Sequence, residues 1–221
     1  PHDLSNHPSW IRNQPEPSTQ DIFTMRSYQQ LRLDELADLD DFIGTMVEVL
    51  ERDGQLDDTV IMFYSDNGNS LLDHRTPVLG KHMPYDWAML TPLTVMGDGF
   101  PAGVTVDVPC TAPDVTATVT ALAGATATVP QHGIDLRHVA AEPATYADRA
   151  TFGGMDEHLT AAEGRPPCSL VCTATHKLVR YDPPPGGFTD PSDDFELYDL
   201  LDDPLELHNL AHAPEHRPLR D

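Results

Sequence analysis

An acidic residue and an amide stand side by side where a predicted strand ends. Residues 59–64 are mostly apolar and predict a buried β-strand, which Ser65-Asp66-Asn67-Gly68 follows directly. In open α/β sheets, ligands bind just beyond the carboxyl ends of the parallel strands. Carboxylate and amide oxygens at such a place suit a hard cation such as Ca²⁺ or Mg²⁺. The alternative is an Asx-type turn in which Asn67-Gly68 only closes the strand.

A long polar loop over residues 65–86 carries further side chains that could do chemistry. Loops of this length in compact domains are typically functional or disordered. The loop is rich in Asn, Asp, His, Arg and Lys side chains, which are the types that bind ligands or transfer protons.

The cysteines Cys110, Cys168 and Cys172 do not predict a disulfide framework, because their number is odd. Cys168 and Cys172 have a CxxxC spacing, and His176 follows, which leaves a zinc site open as an alternative. No second Cys or His pair completes such a site. We therefore expect both cysteines to be small apolar residues of a strand.

Helices and strands alternate in the first part of the chain. A long helix is predicted over residues 25–52, with Leu36, Leu39, Ile43, Met46, Val47 and Leu50 on a buried face. Short strands are predicted over 93–96 and 104–108, the second at an edge. Thr111 is expected to cap a helix that ends near Gly124. This order predicts an α/β fold with a mostly parallel sheet flanked by helices.

The pattern changes near residue 140. Residues 168–171, 175–181 and 195–200 alternate as antiparallel strands do, which predicts a small α+β subdomain. We therefore expect a linker or remnant of an upstream part over 1–24, an α/β domain over 25–140 and the α+β subdomain over 141–221.

Acidic residues dominate the composition, with a formal net charge of −23. A nucleic-acid partner is not expected, because no basic patch would offset repulsion by the phosphates. A strongly solvated surface and adaptation to high salt are both compatible with this charge. No apolar run has membrane-spanning length. Pro1-His2-Asp3-Leu4 shows no signal peptide, and the few cysteines favour the cytoplasm.

Several segments together resemble the sulfatases of the alkaline-phosphatase superfamily. They occur in the order of the C-terminal half of a sulfatase, and the Ser-Asp-Asn-Gly and Leu-Tyr-Asp-Leu segments are the most specific. The segments are Asp58 to Gly68, Gly80-Lys81 to Val95, Gly99 to Gly124, Lys177 to Tyr181, and Glu196 to Leu200 with Asp203-Pro204 and Glu206-Leu-His-Asn-Leu210.

The resemblance implies an alkaline-phosphatase-like fold and hydrolysis of a sulfuric ester. Asp66 and Asn67 would be two ligands of a divalent cation, usually Ca²⁺. Lys81 would contact the sulfate and the leaving oxygen, where it would stabilise developing negative charge. His74 could contact substrate or protonate the leaving alcohol. The alternatives are a solvated surface lysine and a solvated loop histidine, and His82, Asp73 and Arg75 are weaker candidates in the same loop. The expected substrate is a sulfated small molecule or carbohydrate. A phosphonate or phosphate ester hydrolase of the same superfamily is the alternative.

The nucleophile of that family has no counterpart here. Sulfatases use a formylglycine made from the Cys or Ser of a C-x-P-x-R motif, and this motif does not occur in the sequence. The paired aspartates of the family's metal site are also missing, because Asp40-Asp41 lies within the long helix. We therefore expect a sulfatase portion whose nucleophile belongs to a missing N-terminal half or a separate chain. An inactive binding or interaction domain, or a homo-oligomer, remains an alternative.

Overall fold

The fold combines six helices and six strands in the part of the chain that the structure, a computed structural model, describes: residues 3–156, 165–190 and 193–221. The helices are α1 (Ser9–Arg12), α2 (Thr19–Arg52), α3 (Asp86–Met89), α4 (Ala112–Leu122), α5 (Leu136–Ala141) and α6 (Arg217–Arg220). The strands are β1 (Ile61–Tyr64), β2 (Leu93–Met96), β3 (Thr151–Met155), β4 (Cys168–Cys172), β5 (His176–Tyr181) and β6 (Phe195–Asp199). No helix among the described residues is long and apolar enough to span a membrane.

Helix α2 begins earlier than predicted and has no buried residue. Ser18 and Asp21 form a capping box, in which each side chain bonds to the other residue's backbone amide. This box places the helix start at Thr19 rather than at Met25. The predicted buried face is wrong, because none of the residues of α2 is buried among the described residues.

The first sheet has two strands, β1 and β2, which pair antiparallel with Ile61 opposite Met96. Both strands lie where the sequence predicted them. Their pairing is antiparallel, and no two strands pair in parallel among the described residues. Residues 104–108 form no strand, and β1 is only partly buried. The mostly parallel sheet was inferred from a crossover helix between consecutive strands. Among the described residues, no strand that follows α4 pairs with β1 or β2.

Helix α4 forms where the sequence predicted it and contacts the first sheet at one residue of β1. Thr111 and Asp114 form its capping box, and a proline stands in its first turn. Val115 packs with Leu136 and Val139 of α5, and Met62 of β1 lies against this cluster. Arg149 fixes the start of the helix, because its guanidinium donates to both carboxylate oxygens of Asp114 at 2.9 and 2.8 Å.

The second sheet confirms the predicted antiparallel C-terminal strands. Its order is β3-β4-β5-β6, with each neighbouring pair antiparallel. Cys168 is buried in its core beside Leu170, Val179 and Tyr181, as expected of a small apolar residue. Both Cys168 and Cys172 are free thiols. Burial raises the pKa of Cys168 to about 11, which keeps that thiol protonated.

The N-terminal residues are part of the core rather than a linker. Leu4 and Ile11 are buried in one cluster with Tyr85 and Tyr198. Ser9 donates its backbone amide and its hydroxyl to Asp193 at 2.6 and 2.5 Å. Leu4 to Ile11 are therefore not a free linker, because they pack against residues nearly two hundred positions later in the chain. The other alternative for 1–24, a remnant of an upstream part, stays a prediction.

Candidate functional site

The Asp66-Asn67 pair lies directly after β1, where the sequence placed it. The Asp66 side chain is exposed, and its Oδ1 accepts from the Asn67 backbone amide at 2.8 Å. The Asn67 side-chain nitrogen donates to the Gly68 carbonyl at 2.8 Å. Both bonds join adjacent residues, so they are not the bond of an Asx turn, in which the side-chain oxygen accepts from the amide two residues on. They occupy one carboxylate oxygen and the amide nitrogen, so the second carboxylate oxygen and the amide oxygen form no bond within residues 66–68.

Gly68 fixes where the chain goes after this pair. Its amide donates to the Ala88 carbonyl at 2.8 Å. A Cβ at this position would lie 2.0 Å from the Trp87 carbonyl oxygen, which is far inside van der Waals contact. Glycine is therefore required here for close approach of two backbone segments rather than for an unusual φ. The glycine holds the end of β1 against the start of the segment that leads into β2.

Backbone pairing also brings the Lys81 segment back towards the strand end. Ser70 donates its amide to the Gly80 carbonyl at 2.8 Å, and the Leu79 amide donates to the Ser70 carbonyl at 3.0 Å. Lys81 is exposed, and its ammonium forms no hydrogen bond or ion pair within the described residues. The loop thus presents a free cation next to residues that follow Asp66 closely in the chain.

The loop between these segments is strained and tightly held. Leu72, His74, Arg75 and Leu79 all have a positive φ, which costs energy for residues other than glycine. The hydroxyls of Ser70 and Thr76 lie 2.6 Å apart, and Thr76 also donates to the Asp73 carbonyl. Such strain persists only where surrounding contacts fix the backbone, as they often do at functional sites.

His74 is buried, and both of its ring nitrogens have partners within the chain. It is 5% exposed and stacks on Tyr85, with ring centroids 3.9 Å apart. Its Nε2 lies 2.8 Å from the Glu206 carbonyl oxygen, and its Nδ1 accepts from the Trp87 indole at 3.2 Å. Desolvation lowers its pKa, so the ring is neutral with its proton on Nε2. Both nitrogens are engaged in this arrangement, and the catalytic role of His74 stays a prediction.

Asp73 and Arg75 each have a partner within the chain. Asp73 accepts from the Leu71 amide at 2.8 Å through one carboxylate oxygen, and Arg75 forms an ion pair with Glu16 at 2.6 Å. A part of either side chain in selecting a substrate stays a prediction.

A buried ion cluster, which the sequence did not predict, holds the end of the loop over residues 65–86. Lys177, the second lysine of the chain, is 2% exposed and contacts Asp86, the Glu206 carboxylate at 2.6 Å and the Pro84 carbonyl at 3.2 Å. The other Glu206 oxygen accepts from the Asp86 amide at 2.6 Å. Lys177 on β5 therefore connects the C-terminal sheet to the start of α3.

The charges in this ion cluster are strongly perturbed by burial. Burial raises the pKa of Glu206 to about 7, although Lys177 opposes the shift. Desolvation lowers the pKa of Lys177, but the charges of Glu206 and Asp86 outweigh it and the pKa lies above its usual value. Lysine is thus held charged in the interior by two carboxyl groups.

A second buried cluster surrounds the Glu196 carboxylate. It accepts from the hydroxyls of Tyr85, Tyr198 and Tyr181 at 2.8, 2.9 and 2.7 Å, and His7 Nδ1 lies 3.3 Å away. Burial alone would raise the pKa of Glu196, but the bonds from His7 and the tyrosines hold it below its usual value. The cluster joins the N-terminal segment, α3 and β6. The sequence predicted strands β5 and β6, which carry Tyr181, Glu196 and Tyr198, but not that these side chains meet His7 and Tyr85.

The donor set suits a hard cation but is not a full coordination sphere. Asp66 and Asn67 offer oxygen atoms, the chemistry that Ca²⁺ and Mg²⁺ require. In the described ranges, no group of three or more His, Cys, Asp or Glu side chains is arranged to hold a metal ion. This also applies to Cys168, Cys172 and His176. The residues present therefore fit part of a metal site.

The sulfatase family model matches residues 2–125, which is more than half of the chain. An arylsulfatase of Volvox carteri is 33% identical over 100 residues, which are 45% of this chain and 15% of that protein. An arylsulfatase of Chlamydomonas reinhardtii is 29% identical over 235 residues, covering 94% of this chain and 35% of that protein. A choline-sulfatase of Rhizobium meliloti is 29% identical over 180 residues, covering 80% and 31%.

Solved structures share the fold. A putative sulfatase from Bacteroides fragilis superposes with a TM-score of 0.73 at 17% identity, over 95% of this chain and 43% of that one. A phosphonate monoester hydrolase of Agrobacterium radiobacter gives 0.64 at 25% identity, over 83% and 37%. The fold is thus alkaline-phosphatase-like, and the chain belongs to the sulfatase family. It spans about a third or less of the curated relatives it matches.

Proposed function

We propose that this chain carries one part of the active site of a metal-dependent sulfuric-ester hydrolase. The observation that carries the proposal is the placement of Asp66 and Asn67 at the end of β1, with the loop pairing that returns Lys81 towards them. Membership of the sulfatase family supports the reaction class. The names of the relatives, arylsulfatase and choline-sulfatase, support a sulfated small molecule as substrate.

Asp66 and Asn67 would hold the cation through the oxygen atoms that the bonds to Asn67 and Gly68 leave available. When bound, Ca²⁺ would polarise the sulfate and neutralise part of its charge. Lys81 would approach the same sulfate from the loop, since its ammonium has no partner among the described residues. A preorganised cation that faces developing negative charge is a large contribution to catalysis.

The nucleophile would come from outside this chain. No C-x-P-x-R motif occurs in the sequence, so no formylglycine of the family's type can be made from it. We therefore expect no turnover of p-nitrophenyl sulfate by this chain alone. Release of sulfate by the purified chain, abolished in Asp66→Ala, would show that its nucleophile lies within these residues.

A phosphonate or phosphate ester hydrolase is the second candidate. It is favoured by the likeness to the Agrobacterium radiobacter phosphonate monoester hydrolase. Asp66, Asn67 and Lys81 suit any tetrahedral oxyanion, so their chemistry does not separate the two. The two candidates can be separated by measuring how fast Lys81 is acetylated in the Ca²⁺-loaded chain. Sulfate should slow acetylation more than methylphosphonate if the chain belongs to a sulfuric-ester hydrolase. Methylphosphonate should slow it more if the chain belongs to a phosphonate hydrolase.

The metal part of the proposal is tested by calcium titration followed by melting temperature. We expect weak binding, with a dissociation constant on the order of 1 mM, because the chain supplies only part of the ligand set. Asp66→Ala and Asn67→Ala should lose the shift. Asp40→Ala, which removes an exposed carboxylate from α2, is the matched control and should keep it. Equal shifts in the wild type and Asp66→Ala would refute the metal site.

A further inference from the structure

Glu206 holds both ends of the segment that carries Lys81. At one end, the His74 ring donates from Nε2 to the Glu206 carbonyl oxygen at 2.8 Å. At the other end, the Asp86 backbone amide donates to the Glu206 carboxylate at 2.6 Å. Lys81 lies between the two, seven residues after the first and five before the second. One residue of the C-terminal part therefore fixes where this segment begins and where it ends.

The backbone of Glu206 explains how a single residue reaches both ends. Its φ is +56°, in the left-handed region that costs energy for a residue with a side chain. In this conformation its carbonyl and its carboxylate both contact the loop over residues 65–86. The Asp203 side chain closes the turn that presents it, because it accepts from the amides of Leu207 and His208 at 3.0 and 2.8 Å. The strained conformation is therefore held by its surroundings.

Lys177 strengthens the second of these anchors. Its ammonium donates to the other Glu206 carboxylate oxygen at 2.6 Å, to the Pro84 carbonyl at 3.2 Å and to the Asp86 carboxylate. Since Lys177 stands on β5 and is 2% exposed, the anchor is part of the buried sheet. Pro84 lies only three residues after Lys81. The sheet thus fixes the backbone close to Lys81.

The Lys81 side chain has no contact of its own that would set its position. It is exposed, and its ammonium forms no hydrogen bond or ion pair within the described residues. Its backbone is held by the Ser70–Gly80 pairing on one side and by the Pro84 and Asp86 contacts on the other. The region that the ammonium can reach is therefore determined by these backbone anchors.

Stability alone does not account for a charged cluster at this place. A buried ion pair is often no more stabilising than apolar residues of the same volume, because the charges lose their hydration. Hydrogen bonds between charged groups differ from apolar contacts in that they have a direction and fix the atoms that they join. The specific contribution of the Glu206 carboxylate is therefore the placement of the loop.

We propose that Glu206 is a positioning residue that sets where the Lys81 ammonium lies relative to Asp66 and Asn67. The inference rests on the proposed function, in which Lys81 and the cation contact the same oxyanion. Misplacement of such a group by about 1 Å can cost about a hundredfold in rate. Glu206 is 1% exposed and acts through the loop rather than on the substrate.

Two measurements on the chain test this role. The first is native-state hydrogen exchange, in which the Leu79 and Asp86 amides report opening of the loop and the Val179 amide reports global unfolding. The second is acetylation of Lys81 in the Ca²⁺-loaded chain, measured as the sulfate concentration that halves its rate. Both are made at pH 8, where the Glu206 carboxyl, whose pKa burial raises to about 7, is ionised.

Two isosteric variants separate positioning from loss of stability. Glu206→Gln keeps the shape of the side chain but removes its charge and one of its two acceptors. Asp114→Asn is the matched control, because Asp114 is also buried and paired with an arginine, Arg149. The partners of Asp114 include Thr111 and Ile134, which lie outside the loop over residues 65–86.

Both variants should destabilise the fold and speed exchange of the Val179 amide. Only Glu206→Gln should also speed exchange of Leu79 and Asp86, by about tenfold or more, because opening of the loop breaks a buried bond to a charged group. It should raise the half-protecting sulfate concentration by a similar factor. In Asp114→Asn, the loop amides and the sulfate concentration should change by less than about twofold.

A second variant keeps the test decisive if Glu206→Gln does not fold. Glu206→Asp keeps the charge of the cluster but withdraws the carboxylate by one methylene from Lys177 and the Asp86 amide. Faster exchange of the Asp86 amide and weaker protection of Lys81 are expected here as well, since reach and not charge is changed.

The remaining outcomes contradict the proposal in distinguishable ways. If sulfate protects Lys81 equally in the wild type and in Glu206→Gln, the positioning role fails and the proposed function stands. Equal effects of Glu206→Gln and Asp114→Asn would mean that any loss of stability moves Lys81, which also refutes the role. If sulfate does not protect Lys81 even in the wild type, the proposed function fails, and the role of Glu206 fails with it.

Discussion

The two halves of this molecule bury their side chains to very different extents. In the C-terminal sheet with its docked N-terminal segment, Ile11, Val179, Glu196 and Tyr198 are fully buried. In the part formed by α2, β1 and β2, no residue of the helix is buried, β1 is only partly buried and β2 is mostly exposed. The C-terminal part buries its apolar side chains in a closed core. The part formed by α2, β1 and β2 leaves apolar side chains exposed to solvent.

The residues proposed for chemistry lie between these two parts. Asp66 and Asn67 extend from the exposed sheet, whereas the loop beneath Lys81 is anchored to the buried one through Lys177 and Glu206. The comparison therefore suggests a division of labour. The C-terminal sheet fixes the shape of the loop, and the exposed sheet carries the proposed metal ligands.

Loss of the Glu196 carboxylate should have the largest effect on stability. Glu196→Ala leaves the hydroxyls of Tyr85, Tyr181 and Tyr198 without their acceptor in a dry interior. Removing one member of such a buried network costs about 3–5 kcal/mol. Urea unfolding measures the loss, and Glu196→Gln, which keeps an acceptor, should lose less.

A substitution in the exposed helix α2 should have little effect on stability. Phe42→Ser removes a phenylalanine that is 61% exposed and should change the free energy of unfolding by less than about 0.5 kcal/mol. A loss as large as that of Glu196→Ala would mean that α2 is packed in the isolated chain and would erase the contrast between the two parts.

The Glu206 cluster should make stability fall as pH rises towards neutrality. Its folded-state pKa of about 7 lies above the usual value of 4.5, so between these values only the folded chain holds the proton. The free energy of unfolding contributed by Glu206 therefore decreases from about pH 4.5 to pH 7, by on the order of 2 kcal/mol.

Glu206→Gln should remove this slope. His74, whose pKa is lowered in the fold, acts in the opposite direction but is present in both proteins. Urea unfolding at pH 5, 6, 7 and 8 should therefore show the wild type losing stability relative to the variant as pH rises. A difference that stays constant with pH would mean that Glu206 is ionised throughout the range.

A pair of glycine substitutions tests the loop within the exposed part. Gly68→Ala forces a Cβ towards the Trp87 carbonyl oxygen at 2.0 Å and should cost more than about 1 kcal/mol. Gly44→Ala lies in α2 with nothing within 4 Å and should stabilise by about 0.5–1 kcal/mol. Thermal unfolding of both variants measures the contrast. Similar small effects would mean that the two backbone segments at Gly68 are not in contact in solution.

Local patterns in the sequence predicted local structure well. Strand β2, the capped helix α4 and the C-terminal strands were visible because each depends on periodicity or on residues three positions apart. The family and the position of Asp66 and Asn67 were visible for the same reason. Strand β3 was missed because Gly153 and Gly154 interrupt its pattern.

What the sequence could not predict depends on contacts between distant residues. The N-terminal segment looked like a linker because its partner, Glu196, lies 189 positions from His7. Lys177 looked like an ordinary strand residue until Asp86 and Glu206 were placed around it. The buried face of α2 was predicted from the three-and-four spacing of its apolar residues alone. Such spacing shows that one face of a helix is apolar, but it does not show which residues, if any, pack against that face.

Native-state hydrogen exchange on the chain alone tests the contrast between the two parts most directly. We expect amides of Leu170, Val179 and Leu197 in the C-terminal sheet to exchange only through global unfolding. Amides along α2 and at the free edge of β1 should exchange far faster, since local opening there exposes little new surface. Equal protection of β1, α2 and the C-terminal sheet in the monomeric chain would contradict this view, because the exposed part would then already be complete.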